Sequence, residues 1–471
     1  IANIEAAGYD LGGARSGQMP GSQLMISPRI GFNYDVKGDQ TFQIRGGVGI
    51  FTSRIPFVWP AGSYTNNGVL VGGTFQDEED IIANLPDFVF EPNPYGQYQL
   101  SDFGGTDAIP QGQMDIFVED FKFPQVLRAS AAIDKKLPND MFATIEGILT
   151  KTLNNVVYYN VNQEMTSSNF EGPDNRPFWP STKIEPNYSR VILGDNTSEG
   201  YGYSITAQLQ KNFSRNFTAS LAYTYGDAYA INDGTSSQNS SQWRFMENVN
   251  GRNNLDLTRS DFAMGARVVG FISKRFEYGN NFATTLALFY SGQSGRPFSY
   301  IYNSSLQRDD SGLADLIFVP DTQDDIVLVE TTTAGSVEDQ WAALDAFITG
   351  DEYLNSRRGD YAERNGDRTP FENIWDLKII QDVMVNIGET DNTLQVSLDI
   401  LNFANLLNPR WGNDYFLAND NYSLLRFEGW QDDVTGGTPT FSFTEPANDI
   451  WSLNDLSSRW RIQFGVRYIF N

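Results

Sequence analysis

The chain has 471 residues with no cysteine and no histidine, which excludes disulfide frameworks, thiolate or imidazole metal sites and any nucleophilic mechanism that uses a histidine base. Its 33 basic and 59 acidic residues leave a net charge of -26; nucleic-acid binding needs a basic face, so no nucleic-acid partner is expected. Aromatic residues make up 14% of the chain while mean hydropathy is negative, and no apolar run approaches the roughly 18 residues of a membrane helix.

In chain order, alternation of apolar and polar residues with period two predicts strands at 26–36, 41–53, 124–137, 141–153, 200–213, 216–227, 259–275, 281–292, 372–386, 391–404 and 458–470. Phe42, Ile44, Val48 and Ile50 alternate with Thr41, Gln43 and Arg45. Tyr201 to Leu209 alternate with Gly202 to Gln210, and Leu394, Val396, Leu398 and Ile400 alternate with Gln395, Ser397 and Asp399. At the end of the chain Trp460, Ile462, Phe464, Val466, Tyr468 and Phe470 alternate with Arg459, Arg461, Gln463, Gly465, Arg467 and Ile469. A soluble sandwich needs an apolar inner face; a water-filled membrane barrel keeps that face polar and turns its apolar residues to lipid. The fold class expected is therefore all-β, an antiparallel transmembrane β-barrel, with Arg459, Arg461, Gln463, Arg467, Gln395, Ser397 and Asp399 facing the lumen. Trp460, Ile462, Phe464, Val466, Tyr468 and Phe470 then face lipid.

The connections alternate between tight turns, at Lys37-Gly38-Asp39, Leu137 to Asp140, Ser214-Arg215-Asn216, Tyr278-Gly279-Asn280 and Gly388 to Asn392, and long segments at 54–123, 154–199, 228–258, 293–371 and 405–457. Short periplasmic turns and long extracellular loops are the bacterial outer-membrane arrangement. Eleven strands are an odd number where single-chain bacterial barrels have an even one, so strands upstream of Ile1 or another chain are expected to complete the wall.

Within the loops, Ser336 to Asp339 precede Trp341, Leu344, Phe347 and Ile348, the pattern of a capped helix of about three turns. The first long loop holds Phe57, Trp59, Tyr64, Phe75, Phe88, Phe90, Tyr95 and Tyr98; these pack the loop against itself or grip a ligand, with Phe57, Trp59 and Tyr64 as ligand-contact candidates. The acidic runs Asp77 to Asp80, Asp309-Asp310, Asp321 to Asp325 and Asp432-Asp433 read as solvated loop faces, with calcium coordination the sharper alternative. None has the spacing of a calcium loop, and no cofactor is expected.

Ser27 to Asp35, Arg45 to Thr52, Pro56 to Trp59, Trp341 to Ile348 and Tyr361 to Arg368 leading into Trp375-Asp376-Leu377 resemble the TonB-dependent outer-membrane transporters of the Oar-like branch, common in Bacteroidetes-type bacteria. Leu398 to Asn408 resembles the penultimate-strand motif of TonB-dependent transporters more generally. The resemblance implies a twenty-two-stranded barrel of which residues 1–471 are the C-terminal part, with the plug, the TonB box and any upstream domain outside this chain. It implies uptake, across the outer membrane of a Gram-negative cell, of a ligand captured by the extracellular loops, and as partners lipid, the plug with the upstream strands, TonB, and surface proteins. The alternative is a structural or partner-binding barrel in surface adhesion or secretion; an enzyme is not expected.

The resemblance also makes Tyr468 and Phe470 a recognition signal for the barrel assembly machinery. Deleting Phe470 and Asn471 is expected to lower the amount of assembled protein in the outer membrane, measured by heat-modifiable mobility of surface fractions. Unchanged assembly would remove the claim.

Overall fold

The computed structural model describes residues 1–68, 89, 91–93, 95–98, 112–165, 168–179, 182–213, 216–309, 314–387 and 390–470. The acidic run Asp77 to Asp80, the aromatics Phe75, Phe88 and Phe90, the turn residues Ser214, Arg215 and Gly388, Asp310 and Asn471 lie outside the described residues.

Eleven strands make one antiparallel sheet in sequence order: β1 (Arg29–Asp35), β2 (Phe42–Thr52), β3 (Gln125–Leu137), β4 (Met141–Asn160), β5 (Gly200–Phe213), β6 (Phe217–Ala230), β7 (Gly265–Tyr278), β8 (Phe282–Gln293), β9 (Glu372–Ile387), β10 (Thr390–Leu401) and β11 (Arg461–Phe470). The order is open, with β1 and β11 as its two ends. Tight turns close hairpins at one rim through paired left-handed residues, Asn139 with Asp140 and Gly279 with Asn280, the conformation that matches the twist of the flanking strands.

Register sorts the side chains into two faces, because residues directly opposite share a face. One row runs Tyr34, Ile44, Ile133, Ile145, Ala207, Tyr223 and Val268 across β1 to β7. Another runs Leu286, Ile379, Leu398 and Phe464 across β8 to β11. Tyr34, Ile145, Leu221 and Phe464 on this face are exposed. Aromatic residues gather at both of its margins. Tyr201 stacks on Tyr229 at 4.9 Å and Tyr290 meets Trp375 at 4.4 Å near the long connections, while Phe213 meets Phe217 at 4.6 Å and Tyr278 stacks on Phe282 at 5.9 Å near the short turns. From Tyr203 to Phe213 the strand spans about 33 Å at the usual rise, or about 25 Å of height at a tilt near 40°.

The opposite face is polar and internally paired. Arg45 binds Asp134 at 2.8 Å and Glu146 at 2.6 Å, Lys378 binds Asp399 at 2.7 Å, Thr206 meets Thr224 at 2.9 Å, and Arg275 is paired with Asp382.

The apolar cores of the molecule lie in the long connections instead. One gathers Trp59, Ile116, Tyr158, Ile192 and Trp243 around the strand Gly112–Phe117, which pairs in parallel with Tyr188–Thr197. The other gathers Phe298, Tyr300, Val319, Leu344, Leu425 and Phe441 around Pro297–Tyr302, parallel to Asn421–Trp430. The helix Val337–Gly350 packs here, its Ser336 hydroxyl accepting the Asp339 N–H at 3.2 Å.

Seven predicted strand limits differ from the structure by three residues or more: β1 starts only at Arg29, β6 runs to Ala230 and β7 to Tyr278, and the other four have reasons in the contacts. β4 runs on to Asn160 because Asn155 to Asn160 leave the wall and pair with Tyr188–Thr197. β7 begins at Gly265, a left-handed residue whose added Cβ would meet Ser294 Oγ at 2.7 Å; Thr258–Arg259 forms a separate short pairing with β6. β10 stops at Leu401, since Asn402 turns left-handed and its side-chain amide binds Gly412 O at 2.8 Å and Ser458 O at 2.7 Å. β11 starts at Arg461 because Asp455–Ser458 is helical.

A buried ion pair ties two connections together. Arg252, paired with Asp309 and 3.7 Å from Asp315, is fully buried, as are both carboxylates, and its Nε donates to Arg244 O at 2.8 Å. Burial pushes the Asp315 carboxyl up to about 6 while Arg252 opposes the shift. Replacing Arg252 by Met is expected to destabilise the connections by about 3–5 kcal/mol, as for any buried pair losing one partner. The deficit should be largest above pH 6, where Asp315 is ionised, and shrink as pH falls and the proton, held more tightly by the folded than by the unfolded chain, is taken up. Hydrogen exchange of residues 244–252 and 300–309 at pH 8 and pH 5 measures it; equal exchange in variant and parent at pH 8 would refute it.

Candidate functional site: a polar face and a cavity among the long connections

The predicted lumen-facing residues fall on one side of the last two strands. Gln395 stands opposite Arg467, Ser397 opposite Gly465 and Asp399 opposite Gln463. Gln395 donates to Asp382 at 2.8 Å, joining the Arg275–Asp382 pair. Among the described residues, Arg461 and Arg467 have no carboxylate at ion-pair distance, unlike Arg45, Arg275 and Lys378 deeper in the sheet. Arg459 and Trp460 precede β11, and Arg459 binds the exposed Asp455 at 2.9 Å. Ile462, Phe464, Val466, Tyr468 and Phe470 stand opposite Ile400, Leu398, Val396, Leu394 and Asn392 and are exposed.

The loop candidates separate. Trp59 is only 5% exposed, packs edge-on to Tyr158 and donates its indole N–H to Ser236 O at 2.9 Å. It is a core residue of its connection. Phe57 and Tyr64 are exposed.

A cavity of about 840 Å³ lies where three long connections meet, lined by Phe245, Glu247, Asp261, Phe262, Arg296, Arg364 and Asp420 among others. Phe262 projects from its wall, 71% exposed. Desolvation pushes the Glu247 carboxyl up to about 7, with the Arg364 charge opposing, and raises Asp261 together with the neighbouring Asp233 charge. Such a chamber offers carboxylates, guanidinium groups and apolar rings to a polar ligand. Sequence reading missed it because its walls come from segments far apart in the chain.

Arg364 to Arg368 clasp this cavity to the wall. Arg364 donates to Ala230 O at 2.7 Å and Ile231 O at 2.9 Å, while Arg259, held by Asp227 at 3.2 Å, reaches Asn365 O at 2.8 Å and Gly366 O at 3.0 Å. A Cβ on Gly366 would stand 2.1 Å from the Tyr353 hydroxyl, so any larger residue there would have to displace the Tyr353 ring.

No curated protein matches the sequence. Among solved structures, the chain is similar to the outer membrane transporter YddB of Escherichia coli, at 11% identity, covering 82% of this chain and 37% of that one with a TM-score of 0.42. It is also similar to a mutant ferric enterobactin receptor PfeA of Pseudomonas aeruginosa, at 6% identity over 94% of this chain and 40% of that one, TM-score 0.39. The FrpB iron transporter of Neisseria meningitidis follows at 8% identity, 80% and 39% coverage and a TM-score of 0.28. The chain thus spans about two fifths of the length of these proteins. Residues 2–419 match the family model described as outer membrane beta barrel domain. The chain belongs to that family, and its place is the Gram-negative outer membrane.

Proposed function

We propose that this chain is the C-terminal part of a TonB-dependent transporter of the Oar-like branch, whose long connections face the cell exterior and capture a ligand for uptake through a plugged lumen. The observation that carries the reading is the sheet itself: eleven wall strands in open order, one continuous apolar face between two aromatic margins, and one face of paired charges. An apolar face of this extent suits hydrocarbon, and a charged face suits a wet interior. Further wall strands upstream supply the partners of the open edges β1 and β11, since unpaired backbone in lipid is costly. The plug supplies the counter-groups of Arg461 and Arg467, which lack them among the described residues. Ligand identity is set by the connections, and the cavity at Glu247 and Arg364 is a receptacle formed there.

Two measurements test this. Single cysteines carrying a fluorophore at Phe464 and Val466 are expected to be quenched by lipids brominated on their acyl chains, and those at Gln463 and Arg467 to be spared; the reverse pattern would place arginine in hydrocarbon at about 2–4 kcal/mol and sink the assignment of faces. The full-length protein, solubilised from its own membrane, is expected to bind the periplasmic C-terminal domain of TonB. No binding under conditions where a known transporter binds would overturn the transport reading while leaving the barrel intact.

A further inference from the structure

The apolar face is not uniform: a hollow of about 360 Å³ crosses it from Met141 on β4 to Trp375 on β9. Its floor follows the paired row Leu209, Leu221, Gly270, Tyr290 and Trp375. Gly270 makes the hollow, because its missing side chain leaves Leu221 and Tyr290 as walls; an added Cβ would touch both at an ordinary 3.7 Å and anything longer would fill the space. The row is oblique. Leu209 and Leu221 lie four positions from the short-turn ends of β5 and β6, Gly270 and Tyr290 eight positions from those of β7 and β8, and Trp375 twelve from that of β9. Four strand spacings make it about 19 Å long. With strands tilted near 40°, such a row changes depth by about 12 Å, two fifths of a bilayer's roughly 30 Å hydrocarbon core.

At the short-turn end of this hollow stands Lys211, which also lines it. Its ammonium lies 4.3 Å from the centre of the Phe213 ring, and among the described residues it has no carboxylate partner. Lys135 and Lys274 occupy the same face near the same rim, over Phe42 and Phe276, and pairing puts no Asp or Glu on the short-turn half of this face. Lysine stems lie along apolar surface and carry their charge to the headgroup level.

We propose that the hollow is a binding site for one anionic glycerophospholipid of the periplasmic leaflet, with an acyl chain along the Leu209–Trp375 row over Gly270 and the headgroup phosphate on Lys211. The acyl chain replaces void with contact along the apolar row, and the phosphate supplies the charge that Lys211 lacks. The site rests on the assignment of this face to lipid and of the short turns to the periplasm.

The test uses the full-length protein extracted in mild detergent, loaded with dipalmitoyl phosphatidylglycerol and examined by native mass spectrometry. The parent is expected to retain one lipid. Gly270→Leu should lower retention at least tenfold and Lys211→Ala several-fold, whereas Gly270→Ala, which fits the backbone but fills little space, should reduce it only slightly and so guards against misfolding as the cause. Inorganic phosphate should not displace the lipid. Retention equal to the parent in Gly270→Leu, or full displacement by inorganic phosphate, would overturn the proposal. If the brominated-lipid pattern holds while retention fails, only the groove is refuted; if that pattern is reversed, the assignment of faces falls with it.

Discussion

A shift of one residue in any pairing between wall strands would carry every side chain of one strand to the opposite face. Arg45 would leave Asp134 and Glu146, Arg275 would leave Asp382, and Lys378 would leave Asp399. Rows of Ile, Leu, Val and aromatic residues would simultaneously break. Backbone hydrogen bonds alone do not choose a register, since they form equally well one step along. Selection comes from the side chains: charge pairs on one face and continuous apolar rows on the other fix the same alignment from both sides.

That division of labour explains where the molecule keeps its packed cores. A wall one strand thick, apolar on one face and polar on the other, has no interior of its own to fill, so aliphatic and aromatic clusters form in the connections instead, where water is excluded by sequence-distant segments. The two clusters, around Ile116 and Trp243 and around Tyr300 and Phe441, are built like small soluble domains, each around one almost wholly buried strand, Gly112–Phe117 or Pro297–Tyr302, paired in parallel with a less buried neighbour. Buried charges beside these clusters are met by an opposite charge, as Arg252 is by Asp309, or by side-chain amides, as Asp115 is by Asn66, Gln113 and Asn239.

All eleven wall strands were legible because period two is written directly in the sequence, and tight turns carry Asn, Asp and Gly where left-handed backbone is needed. The helix at Val337–Gly350 was legible from Ser336 and Asp339 at its start. What escaped was contact between distant segments. Val156 to Tyr159 and Val191 to Leu193 are unbroken apolar runs, and Phe298 to Tyr302 is interrupted only by Ser299, a signal of strands buried on both faces, but nothing local says which run pairs with which. The burial of Trp59 was equally illegible, because Tyr158 and Ser236 meet it from afar. Past Asn402 the chain stays apolar in Phe403 and Ala404, and only the acceptors at Gly412 and Ser458 reveal why it turns there.

The stretch Tyr361 to Arg368 joins these two regimes. Its Arg364 is fixed to the end of β6 through the Ala230 and Ile231 carbonyls, and it also lines the cavity whose other wall carries Glu247 and Asp420. Asp227, the last acidic residue of β6, holds Arg259 and lies 3.9 Å from Arg368. A group entering the cavity and drawing on Arg364 would therefore act on hydrogen bonds that terminate a wall strand, and the connection could not move without changing the rim. Rigid anchoring of this kind lets the wall set the geometry of the cavity while the connections supply its chemistry.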